Sequence, residues 1–290
     1  MSVAGIEDRF PDIDYEKYSN RQLAAIPLAV LGVALLIIAG WYVMTGAPVT
    51  PGIAFTGGTE VQIQTTDSPA QIRSSLGGFE IDSIQPVAGS DRYILTTQST
   101  DTNLIQNQLE GAGYTVISSA ETSPSFGAGA QTLALIGVGV AFLGMSVLIF
   151  VLFRSFVPSI AVVISAFSDI VIPVALMNLF GIKLSLGTVA ALLMIIGYSV
   201  DSDVLLNNHI LNRRGGFYES TYRAMRTGVT MTLTSLVAMI VMTITATLFQ
   251  IPLLPDIGII LVFGLATDLM NTYMLNLSLL RWYKYEGVAK

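Results

Sequence analysis

The sequence predicts a polytopic α-helical membrane protein: six transmembrane helices, with one ferredoxin-like α+β domain outside the cytoplasm between helices 1 and 2. Three observations carry this. Hydrophobic residues make up 52% of the chain and charged residues only 12%, against roughly 25% charge in a soluble domain, and mean hydropathy is +0.67. Six apolar runs reach the roughly 20 residues that a spanning helix needs. Between the first two runs lie about 85 residues of polar, mixed sequence.

The first twenty residues, "MSVAGIEDRFPDIDYEKYSN", lack the basic flank and short apolar core of a cleavable signal peptide. The first apolar run is therefore expected to be kept, giving a cytoplasmic tail over 1–22 and transmembrane helix 1 over 23–44. The extracytoplasmic domain, 45–130, holds eight acidic residues against two basic ones. Within it "TEVQIQT" alternates like a half-buried strand, and "SPAQIRSSLGG" opens on a Ser cap followed by Pro and closes on glycines, as a short helix does. "FEIDSIQPV" and "RYILTTQ" read as two joined strands, "DTNLIQNQLEGAG" as a helix capped by Asp101, and "YTVISSA" as a last strand. The order β-α-β-β-α-β is the split ferredoxin-like arrangement. The domain's acidity fits repulsion of anionic surfaces, adaptation to high salt or simple solvation.

The bundle over 131–281 contains the other spans, Thr132–Phe153, Pro158–Phe180, Leu184–Leu211, Gly228–Phe249 and Ile257–Leu280, with the first at Leu23–Met44 and a tail over 282–290. "RRGGF" reads as a turn followed by an amphipathic stretch to Met225. The glycine pairs Gly127/Gly129 and Gly137/Gly139 read as a hinge and a helix-packing surface. Eleven of the fourteen basic residues, including Arg9, Arg21, Arg154, Arg213, Arg214, Arg223, Arg226, Arg281, Lys284 and Lys290, fall on one side of the predicted topology. By the positive-inside rule both termini are cytoplasmic.

Carboxylates in the spans are the candidate site residues, because intramembrane acids usually face a bundle interior and mark an ion path. They are Asp169 in the third span, Asp201 and Asp203 in the fourth, and Asp268 in the sixth. The alternative is a neutral, hydrogen-bonded Asp that fixes helix register or touches a partner. The chain has no cysteine and one histidine, so no thiolate or histidine-based metal site is expected. No nucleophile with a base, phosphate loop, nucleic-acid patch or cofactor motif is present, and an enzyme is not expected.

The string "GIKLSLGTVAALLMIIGYSVDSDVLL", which includes Gly197 and Tyr198, resembles the fourth-span signature of the SecF family of protein-export membrane subunits, within the resistance-nodulation-division superfamily. "GIAFTGGTE", with Gly57 and Gly58, is similar to that family's glycine motif, although Ala54 stands where the family usually carries an acid. "FRS" at Phe153–Ser155, "SD" at Ser168–Asp169 and the Arg-Thr-x-x-Thr pattern at Arg226 also match. Ser202 occupies the position of the bacterial members' Asp, flanked by Asp201 and Asp203, so which of these inherits the role is open. The Asp-x-Asp spacing is similar to the archaeal branch, and a pI near 4.7 suits a salt-loving archaeon. The resemblance implies an accessory subunit of the Sec translocon that works with SecD, uses an ion gradient and assists exported polypeptide chains. A half-unit of a small-molecule or lipid exporter, or an assembly factor that only docks the translocon, are the other readings.

Helix geometry narrows the choice of acid. Residues two apart point about 200° from each other, so Asp201 and Asp203 occupy different faces. Asp203 shares a stripe with Ser199 and Asn207, which reads as the lining of a wet crevice with Ser202 as a polar neighbour. Asp201 shares one with Gly197, Leu205 and Asn208, which reads as a close packed contact. Arg226 is expected near the acids as an electrostatic partner. One six-span bundle is expected to leave some of these acids unshielded, which predicts a second six-span subunit.

Overall fold

The computed structural model describes residues 15–87, 89–212 and 216–287; Arg9, Arg213, Arg214 and Lys290 lie outside the described residues. Helix α1 (Asn20–Thr45) starts at a capping box, in which Ser19 Oγ accepts from Gln22 N–H and the Gln22 side chain accepts from Ser19 N–H. It ends at Gly46, whose φ of 77° is the left-handed cap that glycine adopts without a Cβ penalty. A short helix α2 (Ile53–Thr56) leads into β1 (Gly58–Gln64). Then follow α3 (Pro69–Ser75), capped by Ser68 with Pro69 in its first turn, β2 (Ser83–Val87), β3 (Arg92–Thr97), α4 (Thr102–Gly111), capped by Asp101, and β4 (Thr115–Thr122). The sheet is antiparallel in the order β2-β3-β1-β4, the split arrangement expected. Strand β2 is shorter than "FEIDSIQPV" suggests. Inward residues of the strands, Val61, Ile63 and Leu95, meet Ile72, Ile105 and Leu109 of the two helices in one buried cluster.

The membrane helices continue with α5 (Pro124–Phe153), α6 (Phe156–Phe180), α7 (Leu186–Asn212), α8 (Phe217–Leu248) and α9 (Leu254–Gly287). Together with α1 these are six helices long and apolar enough to cross a membrane. Their burial separates two layers: over half of the most apolar window is buried in α6, α7 and α9 (56% each), against 22% in α1, 6% in α5 and 11% in α8. The outer three expose apolar side chains such as Leu36, Leu133, Val140 and Val241, the surface that lipid tails would cover.

Three expectations change. Helix α5 begins at Pro124 instead of Thr132, because Ser123 caps it and proline suits the first turn. Helix α8 runs unbroken from Phe217, so the amphipathic stretch and the fifth span are one helix. Gly137 and Gly139 face open space and are no packing surface, whereas Gly127 is tightly packed: a methyl there would sit 2.7 Å from Phe55 O.

The glycine motif fastens the sheet to the bundle. Gly57 and Gly58 have φ of 82° and 145°, and a methyl on Gly57 would lie 2.6 Å from Pro124 N, while one on Gly58 would collide with Thr97 O. A second attachment is a short backbone pairing: Leu184 N–H donates to Thr50 O and Gly52 N–H to Leu184 O, both at 2.8 Å. Asn178 Nδ2 donates to Pro48 O at 2.9 Å, and Lys183 Nζ pairs with Asp82 Oδ2 at 3.1 Å. The loop between α6 and α7 is thus tied to the base of the sheet domain. Arg281, counted above only for orientation, is buried on α9 and donates to Tyr15 O, Tyr18 O and Asn20 Oδ1, which pins the segment Tyr15–Asn20 to the last span.

Candidate functional site

Helices α6, α7 and α9 bring three of the four candidate acids into one buried cluster. Asp169 and Asp203 are 0% exposed and Asp268 is 1% exposed. Asp169, on α6, is the best satisfied. Its Oδ2 accepts from Ser199 Oγ of α7 at 2.6 Å and its Oδ1 from Asn271 Nδ2 of α9 at 2.6 Å. Asp203 Oδ1 accepts from Thr272 Oγ1 and Asn276 Nδ2, both at 2.8 Å. Asp268 Oδ1 accepts from Ser202 Oγ at 2.8 Å and from Thr272 Oγ1 at 3.3 Å, and the Ser202 and Thr272 hydroxyls lie 3.1 Å apart. The far oxygens of Asp203 and Asp268, and the side-chain carbonyls of Asn271 and Asn276, are buried without a hydrogen-bond partner.

The charge balance follows from this inventory. Each ion buried without a partner costs several kcal/mol, and neither described ion pair, Lys183–Asp82 or Arg223–Glu219, includes any of these acids. Protons or a bound cation therefore have to offset the cluster. Among the described residues no three histidine, cysteine or acidic side chains converge as a metal ion would require.

The geometry departs from the sequence reading at several residues. Ser199, Asp203 and Asn207 do share a face, but it is fully buried between helices instead of lining a crevice open to solvent. They reach two helices: Ser199 bonds Asp169 and Asn207 Nδ2 donates to Pro158 O at 3.3 Å, both on α6, while Asp203 bonds α9. Ser202 is the donor to Asp268. Gly197 is exposed with nothing near it, so it is no close helix contact in this bundle, and Asp201 is exposed on the same outward face. Tyr198 is half-buried, its hydroxyl unpartnered. Arg226 is exposed on α8 and makes none of the described contacts to the acids, because the inward positions there are Met225 and Gly228. The expectation of poorly shielded acids holds for Asp201 alone; one bundle encloses the other three.

Asn271, Thr272 and Asn276 were not singled out from sequence. Their signal is there: Asp268, Thr272 and Asn276 repeat at intervals of four in an otherwise apolar span. What spacing alone does not give is the π-helical segment Asn271–Asn276. Its wider turn directs Asn271, Thr272 and Asn276 together toward α6 and α7, and such π segments recur at functional sites.

Comparison with known proteins places this architecture. The protein-export membrane protein SecD/SecF C-terminal family matches residues 104–286. A protein-export membrane protein SecF of Haloferax volcanii is 66% identical over 288 residues, covering 98% of this chain and 100% of that one. A protein of the same description from Haloquadratum walsbyi is 65% identical, covering 97% and 98%. The crystal structure of SecDF, a translocon-associated membrane protein from Thermus thermophilus, superimposes with a TM-score of 0.70 at 21% identity. The match covers 98% of this chain but only 40% of that one, so the shared feature is the fold.

Proposed function

The chain belongs to the SecF family of protein-export membrane proteins, and on that premise we propose that it is an accessory subunit of the Sec translocation machinery in the cell membrane. It works with a SecD-like subunit to help exported polypeptides cross. Its termini are cytoplasmic and its sheet domain faces outward, as the distribution of Lys and Arg indicates. An ion gradient drives it through the buried acids, Asp203 foremost.

The observation that carries the ion-coupling part is the enclosed set of Asp169, Asp203 and Asp268 with no described cation beside it. A site of this kind changes its hydrogen bonding whenever a proton or ion arrives or leaves. Because Asp169 and Asp203 lie on the helices that flank the loop at Leu184, and that loop is hydrogen-bonded to Thr50 and Gly52, a shift of α7 against α6 would move the sheet domain. The outward Asp201, beside exposed Met194 and Gly197, supports pairing with a second subunit, since a carboxylate facing lipid costs about 2.5 to 3.5 kcal/mol on insertion scales.

Copurification from native membranes in mild detergent tests the assignment. A SecD-like subunit and translocon components are expected. A tightly held lipid or small-molecule cargo in their place would support the exporter reading.

A further inference from the structure

The shared hydroxyls in the acid cluster carry a consequence of their own. Asp203 Oδ1, Thr272 Oγ1, Ser202 Oγ and Asp268 Oδ1 form an unbroken line with spacings of 2.8, 3.1 and 2.8 Å. Each hydroxyl has one proton to donate. A fully bonded line therefore has two polarities. In one, Asp203 is a carboxylate that accepts from Thr272, Thr272 accepts from Ser202, and Ser202 accepts from a protonated Asp268. In the other every donor is reversed, so that a protonated Asp203 donates to Thr272, Thr272 to Ser202, and Ser202 to an ionised Asp268. The bond between Ser202 and Thr272 is compatible with donation from either side.

From this geometry we infer that Thr272 and Ser202 are a two-hydroxyl proton relay by which Asp203 and Asp268 share one proton. The inference rests on the reading of Asp203 as the ion-handling carboxylate and specifies how its charge is passed on. The step balances: Asp203 releases a proton to Thr272 Oγ1, Thr272 passes its own to Ser202 Oγ, and Ser202 passes its own to Asp268. One carboxyl ends ionised, the other neutral, and both hydroxyls keep one proton. Asp169 stands outside the line, with both oxygens already bonded to Ser199 and Asn271. The ionisable groups facing the relay are Asp169 from α6 and Tyr273 on α9. The far oxygens of Asp203, next to Ser165 of α6, and of Asp268 take no part in the line and are left as the ends at which a proton enters and leaves. Thr272 and Ser202 are thus proton-passing groups, held in line by the π-helical segment of α9 and by α7.

The test uses the full chain with its SecD-like partner in membrane vesicles, measuring gradient-driven export in H2O and D2O and the infrared carboxylic-acid stretch. Thr272→Val, similar in shape, removes the relay hydroxyl, and Thr272→Ser keeps it. Thr272→Val is expected to lower the gradient-driven part at least about tenfold, as loss of a proton-transfer group does, and Thr272→Ser to restore both the rate and its isotope effect. Ser202→Ala leaves the longer direct contact of Thr272 Oγ1 to Asp268 Oδ1 at 3.3 Å and is expected to lower the gradient-driven part less than Thr272→Val does. In the wild type one acid stretch should shift with Asp268→Asn, as a proton shared with Asp203 requires. If Thr272→Val keeps the wild-type rate and isotope effect while Asp203→Asn abolishes gradient drive, the relay is wrong and the ion-handling role of Asp203 stands. If Asp203→Asn also retains gradient drive, the underlying reading fails with it. Sodium that removes the acid stretch at constant pH would overturn the relay by putting a cation where the proton is assigned. Should Thr272→Val fail to fold, the shift of the acid stretch in Asp268→Asn decides alone.

Discussion

The inward and outward faces of α7 place two aspartates, two residues apart in sequence, in opposite surroundings. Inward, Ser199, Ser202, Asp203 and Asn207 are buried and bonded to α6 and α9. Outward, Met194, Gly197 and Asp201 are exposed on the bundle's surface. The difference shows that the cost of an intramembrane carboxylate is set by the face it occupies. Donors from neighbouring helices make Asp203 affordable within this chain, whereas Asp201 depends on what lies outside it.

Four substitutions sharpen or break that contrast. The largest effect is expected for Asp203→Leu, which removes two hydrogen bonds, leaving the Asn276 amide without its acceptor and the Thr272 hydroxyl with only its longer contacts to Asp268 and Ser202; unfolding of the purified chain in detergent should show a loss of about 2 to 5 kcal/mol. Next is Gly264→Ala on α9, where a methyl would collide with the buried Ile195 on the inward side of α7. Overpacking of this kind is expected to cost about 1 to 3 kcal/mol in the same assay. Gly197→Ala has open space around it and should instead stabilise α7 by about 0.5 to 1 kcal/mol through helix propensity. Asp201→Asn should fall within about 0.5 kcal/mol in the isolated chain, as exposed substitutions generally do. A loss at Gly197 equal to that at Gly264, or at Asp201 equal to that at Asp203, would remove the distinction between the faces.

Much of this was legible in the sequence, for identifiable reasons. Apolar length gave the six spans, and the caps at Ser68 and Asp101 with the strand alternation gave the β-α-β-β-α-β order. The opposition of Asp201 and Asp203 followed from helical geometry. Which face looked inward did not, because a fourth span with polar residues on two sides reads the same in either rotation. The partners of Asp203 come from a helix some seventy residues further along; their spacing of four marks a polar stripe there, but neither that they meet Asp203 nor the π-helical turn that aims them at it is written in local periodicity. Arg226 misled for the opposite reason. Its motif match and its place near the start of a span suggested proximity, but the rotation of α8 turns it outward.

The central claim is that the inward acid handles the ion. Gradient-driven export by vesicles carrying the chain and its SecD-like partner, measured for Asp203→Asn and Asp201→Asn at equal levels of assembled complex, tests it most directly. The account predicts that Asp203→Asn assembles but loses its dependence on the gradient, while Asp201→Asn keeps that dependence once assembled. Normal gradient-driven export by Asp203→Asn, with loss in Asp201→Asn, would contradict it.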